Sequence, residues 1–481
     1  MAEVELHPSM EACCPYFDPD FENLNERIYG PRFSMDNEAC ENCTVIAVDS
    51  LDEQGLLLEV LQVLTDMDLL IKKSYISSDA GWFMDVFHVQ DNLGNKIRDS
   101  RFISYIQQTI NLRRGLKNSE VQSKNCQEGS SKPESFSELT AIEMIGSNRP
   151  GLFSEISAVL AEENCSVLEA HAWSHNDCLA CVAYVSDEST ASRIDDPGRL
   201  ATIEDHLSTI LQSNADHEHL HCGVKVHFIG CDSSMSRTER RLHQLMLANR
   251  DFNAAQCTPQ RSPDALLSSV GMESSEAPRK IMVTIDHCSE KDYLIANIKS
   301  IDRPKLMFDI VCTLTDMQYV IFHAAIKSHG QFACQEYFIR HRDGFARKTV
   351  EERHQISKCL EAAIERRTCE GLRLELCAQN CAGLLPYVTR TLREYGLTVA
   401  RADIATQGEK TKNVFYVQDI SGKKVDMGSV EMLRRELEPL PFQVKNELNP
   451  ITMNSVGKVG FSFSGLLRSQ LEKLSPSFVS P

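Results

Sequence analysis

Asn148-Arg149-Pro150-Gly151-Leu152-Phe153-Ser154-Glu155-Ile156 recurs three more times in this chain with altered spelling. Around Gly55 it reads Asp52-Glu53-Gln54-Gly55-Leu56-Leu57-Leu58-Glu59-Val60. Around Lys305 it reads Asp302-Arg303-Pro304-Lys305-Leu306-Met307-Phe308-Asp309-Ile310, and around Gly383 Asn380-Cys381-Ala382-Gly383-Leu384-Leu385-Pro386-Tyr387-Val388. A leucine follows each anchor by nine residues (Leu64, Leu160, Leu314, Leu392). An Ile or Val follows by sixteen (Ile71, Val167, Ile321, Val399). The anchors lie 96, 154 and 78 residues apart (151−55, 305−151, 383−305). Solenoid repeats stack at a fixed short period, so this irregular spacing points to four small domains with variable connections.

One unit shows what each must be. Thr44–Val48 is a β-branched run and reads as a strand. Leu57, Val60, Leu61 and Leu64 fall at helical spacing, and Asp66–Asp68 breaks the helix. Leu69–Ile76 reads as a second strand and Ala80-Gly81 as a hairpin turn. Trp82–Val89 alternates, with Phe83, Asp85, Phe87 and Val89 on one side, and Asp99–Leu112 reads as a second helix. The fold class is therefore α+β, a ferredoxin-like βαββαβ plan in tandem. A single antiparallel sheet with helices on one face leaves its edges open, so sheets paired between modules are expected. The third and fourth units are nearly back to back, which suggests that they dock on each other.

The expected organisation is an N-terminal extension over 1–39, a first module over 40–115, a linker over 116–137 and a second module over 138–230. An insert with a flexible centre covers 231–290, followed by modules over 291–369 and 370–447. A tail with a short helix covers 448–481.

Composition bounds the function. The net charge of −18 disfavours nucleic acid or an anionic membrane as a partner. The basic clusters Arg237 with Arg240 and Arg241, and Arg366 with Arg367, sit beside Glu239 and Glu365 and read as solvated helix faces. No apolar run reaches the length of a membrane span, and no basic stretch precedes an apolar core at the N-terminus. The expectation is a cytoplasmic or nuclear protein whose eighteen cysteines are mostly free thiols. Cys178 and Cys181, three apart on a strand, should point to opposite faces rather than share a metal.

The repeated turn has the makings of a binding site. The amides of a helix's first turn lack partners and carry partial positive charge, which suits a carboxylate. Glycine lets a ligand approach the backbone. Asp52, Asn148, Asp302 and Asn380, three residues ahead of each anchor, can cap the helix or accept a hydrogen bond from an ammonium group. Together these would hold a free α-amino acid. The bland reading is that they form a cap and a tight turn and nothing more.

Asn148-Arg-Pro-Gly-Leu152 and Asp302-Arg-Pro-Lys-Leu306 are similar to the Asp-Arg-Pro-Gly-Leu turn of ACT domains. The whole chain resembles the plant ACT-domain-repeat proteins. Gly81–Val89, Val311–Tyr319, Glu239–His243 and Leu466–Leu474 carry that resemblance, which covers roughly residues 30–475. It implies four ACT modules, no catalytic domain, no cofactor, and a regulatory role in sensing an amino acid at module interfaces. The implied ligand residues are Asp52, Gly55, Leu56, Asn148, Gly151, Leu152, Asp302, Asn380, Gly383 and Leu384. An unknown protein partner and self-association through sheet edges are also compatible. Lys305 replaces the glycine in the third module, so its pocket is either closed or suited to a more anionic ligand. The second module has the turn nearest the family pattern.

Two other readings are weighed. The units could serve as a protein-interaction scaffold whose ligand sites are lost. His217-Glu218-His219-Leu220-His221 matches the zinc-hydrolase helix motif, yet Ser213–Asp216 interrupts the helix before it and Gly223 follows at once. A polar helix-to-strand connection is the expectation there. The phosphate-binding and nucleophile-elbow motifs are absent.

Overall fold

In the computed structural model, sixteen strands among the described residues build two eight-stranded antiparallel sheets. The structure describes residues 31–51, 55–79, 82–98, 102–106, 108–109, 139–212, 222–229, 238–253, 281–288, 290, 292–344, 349–368, 371–421, 425–438 and 440–445. The first unit holds β1 (Arg32–Asp36), β2 (Thr44–Leu51), α1 (Leu56–Asp66), β3 (Leu70–Asp79) and β4 (Trp82–Gln90). The second holds β5 (Thr140–Ser147), α2 (Leu152–Glu162), β6 (Cys165–His175), β7 (Cys178–Asp187), α3 (Pro197–Gln212) and β8 (Lys225–Ile229). A further helix, α4 (Thr238–Ala248), follows. The third unit holds β9 (Ile281–Cys288), β10 (Tyr293–Ile301), α5 (Leu306–Asp316), β11 (Tyr319–His329), β12 (Phe332–His341) and α6 (Val350–Glu365). The fourth holds β13 (Leu372–Gln379), α7 (Leu384–Glu394), β14 (Leu397–Gln407), β15 (Lys410–Asp419), α8 (Met427–Glu436) and β16 (Phe442–Lys445).

The sheets run β1-β2-β4-β3-β11-β12-β10-β9 and β16-β13-β15-β14-β6-β7-β5-β8. The first unit is therefore joined to the third, and the second to the fourth. The docking of third on fourth suggested by their closeness in sequence is corrected by this pairing. Only a short connection separates α6 from β13. It fixes proximity and leaves each unit's free edge to find another partner. Both seams are antiparallel: Ser77 lies opposite His323 at one and Ala170 opposite Ile404 at the other.

The units also differ in how they close. In the second and fourth, the outer position beside the first strand is filled by β8 or β16, which come last. In the first and third it is filled by β1 or β9, which come before the first strand. These two strands lie in the stretches expected to be extension and insert.

The repeat is visible residue by residue. Each first helix ends on a positive-φ residue thirteen places after its anchor: Asp68, Asn164, Gln318 and Gly396. Such a left-handed exit is a common helix C-terminus. Each second strand carries a bulge four places later, at Lys72, Leu168, Phe322 and Ala400. The alternation expected in β4 holds, with Phe83, Asp85, Phe87 and Val89 all buried.

The helices within the units cover one face of each sheet, and α4 lies on the opposite face of the second unit. Leu152, Ile156 and Leu160 of α2 share a core with Val388 and Leu392 of α7 across the seam. Strand β7 is buried on both faces. Leu179, Cys181, Ala183 and Val185 enter that helical core, whereas Cys178, Ala180, Val182 and Tyr184 lie under Leu242, Leu245 and Met246 of α4. Cys178 and Cys181 thus face opposite ways, as their spacing requires. At about 1.5–3 kcal/mol for each fully buried Leu or Met, these three side chains anchor α4 firmly to the outer face of the second unit.

Candidate ligand site at the seam between units

All four first helices open on a left-handed residue. The φ values are 88° at Gly55, 85° at Gly151, 64° at Lys305 and 75° at Gly383, and none has a side-chain cap bond. The capping role considered for the Asp and Asn residues is thus corrected: the anchor itself is the N-cap. Asn148, Asp302 and Asn380 instead donate their backbone N–H to the hairpin turn alongside, at Asp177 O (2.7 Å), Gln331 O (2.8 Å) and Glu409 O (2.6 Å). Asp52 lies outside the described residues. Leu56, Leu152, Leu306 and Leu384 are buried beneath their turns.

The four turns do not have equal surroundings. Gly383 is exposed and, with Asn380 and Leu384, lines a cavity of about 250 Å³. The opposite wall comes from the second unit: Ser157 and Ala161 of α2, and Cys165 to Val167 of β6. Its floor carries Thr406, Thr411 and Asn413. Thr411 Oγ1 donates to Asn413 Oδ1 at 2.9 Å, and Thr406 Oγ1 donates across the seam to Val167 O at 3.2 Å. Glu188, exposed, stands at the mouth.

Gly151 is buried at the pseudo-equivalent place. A Cβ built there would stand 2.6 Å from Arg393 Cδ, so the end of α7 lies directly over this turn. Arg393 falls ten residues after Gly383, and Ala161 ten residues after Gly151. The same helix position thus presents a methyl group to one turn and a guanidinium to the other.

Arg149 and Arg303, the arginines of the second and third turns, face inward. Arg149 grips Glu155 through Nη1 and Nη2, and Nη2 also donates to Ile210 O at 3.1 Å. Arg303 Nη1 donates to Asp309 Oδ2 at 2.6 Å and Nη2 to Ile364 O at 2.9 Å. In both cases the arginine clamps the first helix to the second, and it is not offered to a ligand.

The family profile of the ACR N-terminal ACT domain matches residues 39–117, and an ACT-domain profile matches 138–216. The chain is 52% identical over 500 residues to ACT domain-containing protein ACR2 of Arabidopsis thaliana, covering 98% of this chain and 99% of that one. It is 46% identical to ACR3 of the same plant, covering 96% and 99%.

The chain belongs to the ACT-domain-containing ACR proteins.

Among solved structures, aspartate kinase from Synechocystis shares 11% identity, with 64% of this chain and 43% of that chain covered and a TM-score of 0.16, too low to carry weight. The two family matches fall on the first and second units.

The third turn sits in a dense ionic cluster that the sequence did not reveal. Arg366 and Arg367 are 2% and 8% exposed, so the reading of these as a solvated face is corrected. Arg366 Nε and Nη2 donate to Asp251 at 2.7 and 2.6 Å. Arg367 Nη2 donates to Asp309 Oδ1 at 2.7 Å and lies over the ring of Trp173. Arg240 and Arg241 pair with Asp316 and Glu143, while Arg237 lies outside the described residues. The motif at His217, Glu218 and His221 also lies outside them. Among the described residues, no group of three or more His, Cys, Asp or Glu side chains is placed to hold a metal.

Across the seam, His171 Nδ1 is 2.8 Å from Asp403 Oδ1 and Nε2 is 3.0 Å from Glu169 Oε1. Burial lowers the His171 pKa, but bonding to Asp403 and Glu169 outweighs it and pushes the value up to about 10. A histidine held above its unfolded value of about 6.5 stabilises the fold fully below that pH and loses the effect as pH rises through about 10. His171→Gln should therefore melt below the parent chain at pH 6, with the gap narrowing steadily to pH 10. Melting curves across that range check this, and a constant gap would contradict it.

Proposed function

We propose that this chain is a non-catalytic sensor of a free amino acid, with its working site at the fourth turn. The cavity beside Gly383 carries the reading. At this turn an exposed glycine opens a helix onto a polar space between two units. A carboxylate would sit at the start of α7, where the left-handed glycine leaves the backbone accessible. The ammonium group would be met by Asn380, with Glu188 supplying negative charge at the mouth. At about 250 Å³, the space is smaller than the roughly 300–1,000 Å³ typical of drug-sized ligands and suits a single small molecule. Affinity should be roughly micromolar to sub-millimolar, about −5 to −8 kcal/mol.

Because the walls belong to different units, a bound ligand would bias how they pack, and a partner protein could read that change. We propose the module boundaries given above with β1 and β9 added to the first and third units. Among the described residues, no helix is long and apolar enough to cross a membrane.

A thermal-shift screen of the twenty amino acids tests the proposal. At least one should raise the melting temperature, and Asn413→Leu, which replaces the polar floor, should lose the shift. No response from any amino acid would leave the scaffold reading in its place.

A further inference from the structure

Lys305 adopts a left-handed conformation, φ 64°, that the other three anchors reach with glycine. A side chain makes that conformation unfavourable. The ammonium group lies 2.8 Å from Glu239 Oε1, and Arg367 Nη1 donates to the same oxygen at 2.9 Å. Glu239 belongs to the first turn of α4, the helix anchored on the outer face of the second unit. The turn's acidic residue is matched as well: Asp302 Oδ2 lies 3.5 Å from Lys72 Nζ of the first unit. Lys72 is the bulge residue of β3. The equivalent residues Leu168, Phe322 and Ala400 carry no charge.

We infer that the third turn is a carboxylate site filled in cis, with Glu239 in the place of a free carboxylate and Lys72 supplying the cation opposite Asp302. This turn takes up no soluble ligand and ties the two sheets together through α4. The grip on Glu239 uses one oxygen; Oε2 is buried without a hydrogen-bond partner. A small free carboxylate, able to reorient, could therefore replace the side chain between Lys305 and Arg367. The third turn contributes no residue to the cavity at the fourth, and acetate is not an amino acid, so either reading can fail alone.

The test is the melting midpoint of the full chain carrying Glu239→Ala, in sodium acetate against sodium chloride at equal ionic strength. The variant should melt a few degrees below the parent, and acetate should recover at least half of that loss while leaving the parent unmoved. Melting at the parent's temperature, or an equal acetate shift in both chains, would overturn the inference. Glu239→Gln keeps the side-chain volume, so it should be destabilised and unresponsive to acetate; a response as large as that of Glu239→Ala would also overturn it. Should Glu239→Ala not fold in chloride, folding in acetate supports the inference and failure in both salts refutes it.

Discussion

Asp309→Ala will destabilise the chain by about 3–5 kcal/mol, the range found when one partner of a buried ion pair is removed. Asp309 is 0% exposed. Its carboxylate accepts from Arg367 Nε and Nη2 at 2.9 and 2.7 Å, from Arg303 Nη1 at 2.6 Å, and lies 2.9 Å from His243 Nε2. Burial acts to raise the Asp309 pKa, but Arg367 and Arg303 outweigh it and hold the carboxyl well below its usual range. Without it, among the described residues, Arg303 has no ion-pair partner left and Arg367 keeps only Glu239. The control lies at the same repeat position of the second unit. Glu155 pairs with Arg149, but the two side chains are 32% and 18% exposed. Glu155→Ala should therefore cost no more than about 1 kcal/mol, as solvent-screened pairs do. Denaturant unfolding of both variants gives the comparison. Equal losses would mean that burial does not decide the value of this arginine–acid pair.

The contrast shows what a sequence can and cannot reveal. Four copies of one phrase, with Leu at plus nine and Ile or Val at plus sixteen, were enough for the unit and for the order of its elements from the first strand to the hairpin, because local periodicity and turn chemistry are written in adjacent residues. Which edge strand pairs with which was not legible. β3 meets β11 and β6 meets β14 because tertiary packing selects the partner, and nearness in sequence misled. Strands β1 and β9 escaped for a related reason: each is added at an outer edge from a stretch before the repeat phrase. The basic pair Arg366-Arg367 looked like surface because its counter-ions Asp251, Asp309 and Glu239 lie far away in sequence. Of the candidate ligand residues, Asn380, Gly383 and Leu384 gather at one cavity, whereas Gly151 is covered. The residue that separates those two outcomes, ten places after the opposite anchor, was visible only once two units had been brought face to face. Comparing Ala161 with Arg393 at that offset would have been the signal.

Exchanging those two side chains should move the site. Ala161→Arg extends a guanidinium from α2 toward Gly383 and the space now enclosed by Asn380, Thr406 and Asn413. The expected result is a loss of affinity of at least about a hundredfold, near 2.7 kcal/mol, for whichever amino acid raises the melting temperature of the parent chain. The fold should survive, because position 161 is only half buried and arginine is a good helix former. Arg393→Ala should do the reverse. Arg393 covers Gly151, and its nearest acid, Glu155, is 3.9 Å away and already held by Arg149. Removing the guanidinium uncovers a left-handed glycine with Asn148 three residues before it, the arrangement found at the fourth turn. Calorimetric titration should then count two ligands per chain where the parent binds one. A variant that stays at one, in a chain whose Ala161→Arg counterpart has lost binding, would show that uncovering the glycine is not enough. The polar floor of Thr406, Thr411 and Asn413 would then be what makes the fourth turn a site. The second unit offers Leu179 and Cys181 to its core where the fourth places Thr411 and Asn413. A triple exchange combining Arg393→Ala with Leu179→Thr and Cys181→Asn would then be the variant expected to bind twice.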